Sequence, residues 1–140
     1  MSATVNAIDT VLARMATYGD RSAVVWKGQE QSYTAFLARV AEWEWRFGGL
    51  GIGAGTVVAV LGEFSPKTCA LFFALMKAKA IIVPLTRAVS ADELQSFMAI
   101  AGAQVQISLS IRKTSRSWPS GRRLLRMISC KGFCRDSRLG

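Results

Sequence analysis

Five consecutive apolar residues, Val57-Val58-Ala59-Val60-Leu61, leave a strand no polar face to turn toward water, and they constrain the fold more than any other stretch of this chain. Such a strand is buried on both faces, as the strands of parallel sheets are. Ile81-Ile82-Val83 repeats the pattern, and Gln104-Val105-Gln106-Ile107-Ser108-Leu109 supplies a third strand. Helix signals fill the gaps. Ser65-Pro66 caps and starts a helix running to about Ala78, with Ser at the N-cap and Pro at the first helical position. Ser90-Ala91-Asp92-Glu93 is a capping box whose helix carries Leu94, Phe97, Met98 and Ala101 to a stop at Gly102. The alternation predicts an α/β fold, a partial three-layer domain built on a parallel βαβαβ unit.

If those strands lie side by side in chain order, right-handed crossovers put both helices on the same face of the sheet. The other face then needs a further cover. Five exposed side chains there would forfeit roughly 8–15 kcal/mol, at about 1.5–3 kcal/mol each. That rivals the whole stability of a domain, about 5–15 kcal/mol. The expectation is a chain that is poorly stable alone and self-associates, with open strand edges as a second route.

An amphipathic helix and a short hairpin precede this unit. Asn6–Tyr18 places Ile8, Val11, Leu12 and Met15 on one helical stripe, which Gly19-Asp20 stops. Ala23–Lys27 and Gln31–Tyr33 read as hairpin strands joined across Gly28-Gln29-Glu30. Thr34 is a good N-cap for a helix with Phe36, Leu37, Val40, Trp43 and Phe47 on one face, ended by Gly48-Gly49. The run Gly48, Gly49, Gly51, Gly53, Gly55 invites a phosphate-loop reading but lacks the G-x-G-x-x-G spacing. It also precedes its strand, whereas phosphate-binding glycines follow one and open a helix. A tight helix-to-strand connection is the reading that fits.

At 140 residues the chain holds at most one ordinary domain. Met1–Ala13 has no basic region ahead of a continuous apolar run, so no secretory signal is expected. The apolar run Thr68–Leu85 is broken by Lys77 and Lys79, which argues for a buried helix and strand over a membrane span. With no histidine and three cysteines, Cys69, Cys130 and Cys134, the chain lacks Ser-His and Cys-His pairs. It also lacks the ligands of a four-coordinate structural zinc site, and no metal site is expected. Cys69 reads as a small core residue, and a cytoplasmic, reducing compartment fits.

Taken in order, these pieces resemble the N-terminal region of the adenylate-forming enzymes, the superfamily of AMP-forming acyl-CoA synthetases, luciferases and peptide-synthetase adenylation domains. Gly19–Val25 resembles the family's opening strand. Ser32-Tyr33-Thr34-Ala35-Phe36-Leu37 resembles its x-Y-T-Y-x-E-L entry to a helix. Leu50–Ala59 resembles L-G-V-x-x-G-D-x-V-A, and Leu75–Leu85 resembles L-K-A-G-A-V-V-V-P-L. The departures are specific. Thr56 stands where Asp is usual, Phe64 where Asn is common, and Lys67 where Glu is usual. Lys79 replaces a helix-ending glycine, which costs about 1–2 kcal/mol if the backbone there is left-handed.

The resemblance implies ATP-dependent activation of a carboxylic acid to an acyl-adenylate, usually followed by transfer to a thiol. ATP, Mg and CoA are therefore expected for a full-length relative. The family's reacting residues lie in later motifs: a lysine-bearing phosphate loop, an aromatic-Gly-x-Thr-Glu segment, a Thr-Gly-Asp segment and a C-terminal-domain lysine. Thr114–Gly121 is the stretch nearest to the phosphate loop, and it lacks the glycine pairs and the Pro-Lys-Gly end. No catalytic and no cofactor-binding residue carries over to this chain, which is expected to be inactive alone.

Charge divides the chain at the same place. Residues 1–109 carry nine Lys+Arg against eight Asp+Glu, whereas residues 110–140 carry nine against the single Asp136. The expected organisation is a partial N-terminal subdomain of an AMP-dependent synthetase or ligase over residues 1–109, followed by a basic, disordered tail over 110–140. Three readings of the tail stand open. Arg122, Arg123, Arg126, Lys131, Arg135 and Arg138, interleaved with Trp118 and Phe133, suit a nucleic acid or an anionic membrane. The tail could also be an ordinary disordered extension. The third reading is the product of a frame-shifted gene, unrelated to the family.

Overall fold

The computed structural model describes residues 6–85, 90–109 and, as backbone, 126–129. They fall in two compact units, residues 1–56 with 63–82, and residues 57–62 with 83–140.

The first unit is a helical layer with a hairpin. Helix α1 spans Ala7–Ala16 and buries Ile8, while Leu12 and Met15 are half-buried and Val11 lies exposed. Strands β1 (Ser22–Trp26) and β2 (Gln29–Ser32) pair antiparallel with Trp26 opposite Gln29. Their turn is therefore only Lys27-Gly28, with φ of 50° and 77°. Two positive φ values are what a type I′ turn requires, and they draw Gln29 and Glu30 out of the expected loop into the strand.

Helix α2 (Tyr33–Leu50) begins two residues earlier than Thr34 would allow. Ser32 is its N-cap, and its Oγ accepts the Ala35 N–H at 3.1 Å. The helix also runs through Gly48 and Gly49 and ends only at Gly51, which takes φ 68°. A helical glycine costs only about 0.5–1 kcal/mol relative to alanine, so the doublet weakens the last turn without stopping it. Phe36, Val40, Trp43 and Phe47 form its buried stripe, as their spacing predicts, with Leu37 half-buried beside them.

Helix α3 (Pro66–Lys77) is capped by Ser65 and buries Ala70, Leu71, Ala74 and Leu75. It packs on α2, where the Phe36 and Phe73 rings meet edge to face at 5.4 Å and Lys77 pairs with Glu44 at 2.7 Å. Its C-terminus is a Schellman motif. Lys79 N–H donates to Met76 O and Ala80 N–H to Leu75 O, both at 3.0 Å. The residue between must be left-handed, and Lys79 is, at φ 57°.

The second unit holds one helix and the sheet, apart from Ile81 and Ile82 of one edge strand, which fall in the first unit. Strands β3 (Val57–Leu61), β4 (Ile81–Leu85), β5 (Val105–Ser108) and β6 (Arg126–Ser129) are ordered β4-β3-β5-β6, with β4, β3 and β5 parallel. Val58 lies opposite Val105 and Val60 opposite Ile107. The mixed α/β class and the parallel βαβαβ unit are as expected, but the spatial order is not the chain order. The chain steps from β3 out to β4 and then back past β3 to β5, so the same-face argument for the two crossover helices loses its premise. Pro84 sits in the edge strand β4, where a missing N–H is tolerated.

Val58, Ala59 and Val60 are buried in succession, so β3 is covered on both faces. On one of them Leu94 and Met98 of helix α4 (Ala91–Ala101) pack on Ala59, with Leu61, Val83, Leu85 and Ala103 around them. The capping box that starts α4 is closed: Glu93 N–H donates to Ser90 Oγ at 3.3 Å, and Glu93 Oε2 accepts the Ser90 N–H at 2.9 Å. Gly102 ends the helix at φ 64°. Strand β6 pairs parallel with β5 inside the stretch that charge assigns to the tail. Arg126-Met127-Ile128-Ser129 offers neither a continuous apolar run nor a polar-apolar alternation, so it does not register as a strand pattern in the sequence.

Two measurements test these helix ends. Lys79→Gly removes a left-handed penalty of about 1–2 kcal/mol, part of which glycine gives back through its freer unfolded state. A net gain of about 1 kcal/mol is expected, and a denaturant midpoint that fails to rise contradicts it. Hydrogen bonds from the Ser90 backbone, then from its side chain, hold the Glu93 carboxyl below its ordinary value. A lowered folded pKa stabilises above the unfolded pKa, and that stabilisation is lost as pH falls through the folded one. Acidification through and below the ordinary glutamate range should therefore loosen α4, read as faster amide exchange at Glu93 and Leu94. Glu93→Gln, which keeps an acceptor but does not titrate, should remove that pH dependence.

Candidate functional site

In open parallel sheets, ligands bind outside the carboxyl ends of the strands, at the point where the strand order reverses. Here that point is the β3–β5 pair. Gly62 follows β3 and lies so close to the next strand that a Cβ on it would stand 3.1 Å from Leu109 O and 3.2 Å from Leu109 Cβ. The ladder also continues one residue past β5, with Leu109 N–H donating to Leu61 O at 2.9 Å. Gln106, 7% exposed, donates its side-chain amide to Ser108 Oγ at 3.1 Å. This edge holds its backbones together and satisfies its polar side chains internally. The titratable groups described in this unit are Asp92 and Glu93, and Glu93 is engaged in its own cap.

The other unit contains the segment Glu63–Thr68 at the head of α3. Ser65 Oγ accepts the Thr68 N–H at 3.4 Å, and the Thr68 hydroxyl donates to Glu63 O at 2.5 Å. Glu63 pairs with Lys27 at 3.7 Å. Phe64, where the family commonly has Asn, is 61% exposed and sets its ring against Phe72 at 6.0 Å. Lys67 places a positive charge in the first turn, the end of a helix that favours negative charge.

The glycine run does what the connection reading expects. Gly51 ends α2, Gly53 N–H donates to Thr56 Oγ1 at 3.1 Å, and Gly55 N–H donates to Lys79 O at 3.0 Å. The amides of Gly53 and Gly55 are thus taken by the protein. Thr56 supplies the oxygen that an Asp would supply, so this departure keeps the turn's hydrogen bond. That role was within reach of the sequence, because Thr and Asp both accept from a neighbouring amide.

Cys69 lies half-buried on α3, and burial pushes its thiol up, away from the reactive thiolate. Among the described residues no three His, Cys, Asp or Glu side chains gather as a metal site would need. Among them, too, no helix is long and apolar enough to cross a membrane. Cys130, Cys134, the phosphate-loop-like stretch Thr114–Gly121 and the tail cations other than Arg126 lie outside the described residues, as do the side chains of 126–129.

The fold has close parallels among solved structures. Klebsiella oxytoca NpsA in complex with 3-hydroxyanthranilyl-AMSN superposes with a TM-score of 0.76 at 21% identity, covering 91% of this chain and 25% of that one. NpsA-ThdA, an artificially fused adenylation-PCP di-domain from the same organism, gives 0.74 at 20% identity, covering 90% and 23%. VinN gives 0.66 at 20% identity, covering 71% and 26%. The chain spans about a quarter of the length of these structures. No curated protein matches its sequence. The family model described as AMP-binding enzyme matches residues 11–130, beyond the change of charge at residue 109 and as far as β6. With that match over most of its length, the chain belongs to the AMP-binding enzyme family.

Proposed function

We propose that this chain is the N-terminal part of an adenylate-forming ligase of the acyl-CoA synthetase type, and that alone it forms no acyl-adenylate. The observation that carries the proposal is the family match over residues 11–130, joined to a fold shared with about a quarter of each solved relative. In the full-length enzymes the chemistry is ATP-dependent activation of a carboxylic acid, with Mg and CoA as further requirements. VinN is described in complex with L-aspartate, an acid of the kind such chemistry activates. The residues of this chain that resemble the family shape turns and helix ends. None of them belongs to the lysine-bearing phosphate loop or to the later motifs that would grip a polyphosphate or stabilise the charge that develops when a nucleotide is transferred. A cytoplasmic setting, and self-association of the isolated chain through its strand edges, belong to the same proposal.

The test is acid-dependent pyrophosphate release from ATP. The purified chain, offered Mg-ATP and a panel of aryl, alkyl and amino acids, should release no more pyrophosphate than a protein-free control. Release that depends on any one acid would overturn the claim of inactivity.

The concentration of charge in residues 110–140 favours a second reading, a non-catalytic module whose basic segment contacts nucleic acid or an anionic membrane. Such binding would rest on charge alone, and its affinity should fall steeply and log-linearly with salt. Removing residues 110–140 should then abolish binding to duplex DNA or to anionic vesicles. Binding that survives the deletion would show that the segment is not the anchor.

A further inference from the structure

We draw no further inference here: the strongest candidate, the outward face of α4 on which Phe97 and Ile100 stand exposed, carries nothing because nothing among the described residues shows what covers it.

Discussion

A buried peptide group that lacks a partner is too costly to keep, and β3 is the strand on which that constraint bears hardest. Val58, Ala59 and Val60 are all buried, so no water can serve its backbone. It therefore needs a neighbour on each side, and β4 and β5 supply them. Parallel neighbours cannot be joined by a two-residue turn, so each connection must travel the length of the sheet. The link from β3 to β4 contains α3, and the link from β4 to β5 contains α4. The strand's first residue is served from just outside β5: Val57 N–H donates to Gln104 Oε1 at 3.1 Å, and Val57 O accepts the Gln104 N–H at 2.9 Å.

The helices are delimited by a small set of devices. Ser32, Ser65 and Ser90 each accept a backbone N–H at the start of a helix. Left-handed residues at Gly51, Lys79 and Gly102 close the same three helices. Between these ends the apolar stripes do most of the stabilising: α2 and α3 bury eight core side chains that are apolar between them, Phe36 and Leu75 among the most enclosed. Full burial of a large side chain stabilises by about 1.5–3 kcal/mol, several times the few tenths expected of an exposed ion pair. The contact between Lys77 and Glu44 adds orientation to that packing more than energy.

Local signals proved legible and non-local ones did not. Ser65-Pro66, the box at Ser90 and Glu93, and the stop at Gly102 involve residues at most five apart, and each formed as expected. The start of α2 was harder because Ser32 and Thr34 are both capping types. The choice fell to Ser32 because a two-residue turn ends β2 there. The strand order depends on pairings 47 residues apart, such as Val58 with Val105, and no local pattern encodes it. The family was legible while its chemistry was not, for a physical reason. The resembling segments are a turn into the first strand (Gly19–Val25), a helix entry (Ser32–Leu37), a helix-to-strand turn (Leu50–Ala59) and a helix exit into a strand (Leu75–Leu85). Backbone geometry constrains such places tightly whatever reaction the fold serves. The chain departs from the pattern inside such places, at Thr56 and Lys79, as well as outside them, at Phe64 and Lys67.

Ser32 closes β2 and caps α2 at once, so no loop separates the hairpin from the helix. The direction of the strand therefore sets the phase of the helix. A residue inserted between Ser32 and Phe36 would turn Phe36, Val40, Trp43 and Phe47 by about 100° around the axis, away from α3. Substitutions in this stretch can be absorbed one side chain at a time, whereas a change of length by one residue moves the whole apolar stripe. Among related sequences, the stretch from Ser32 to Phe36 should accordingly hold its length.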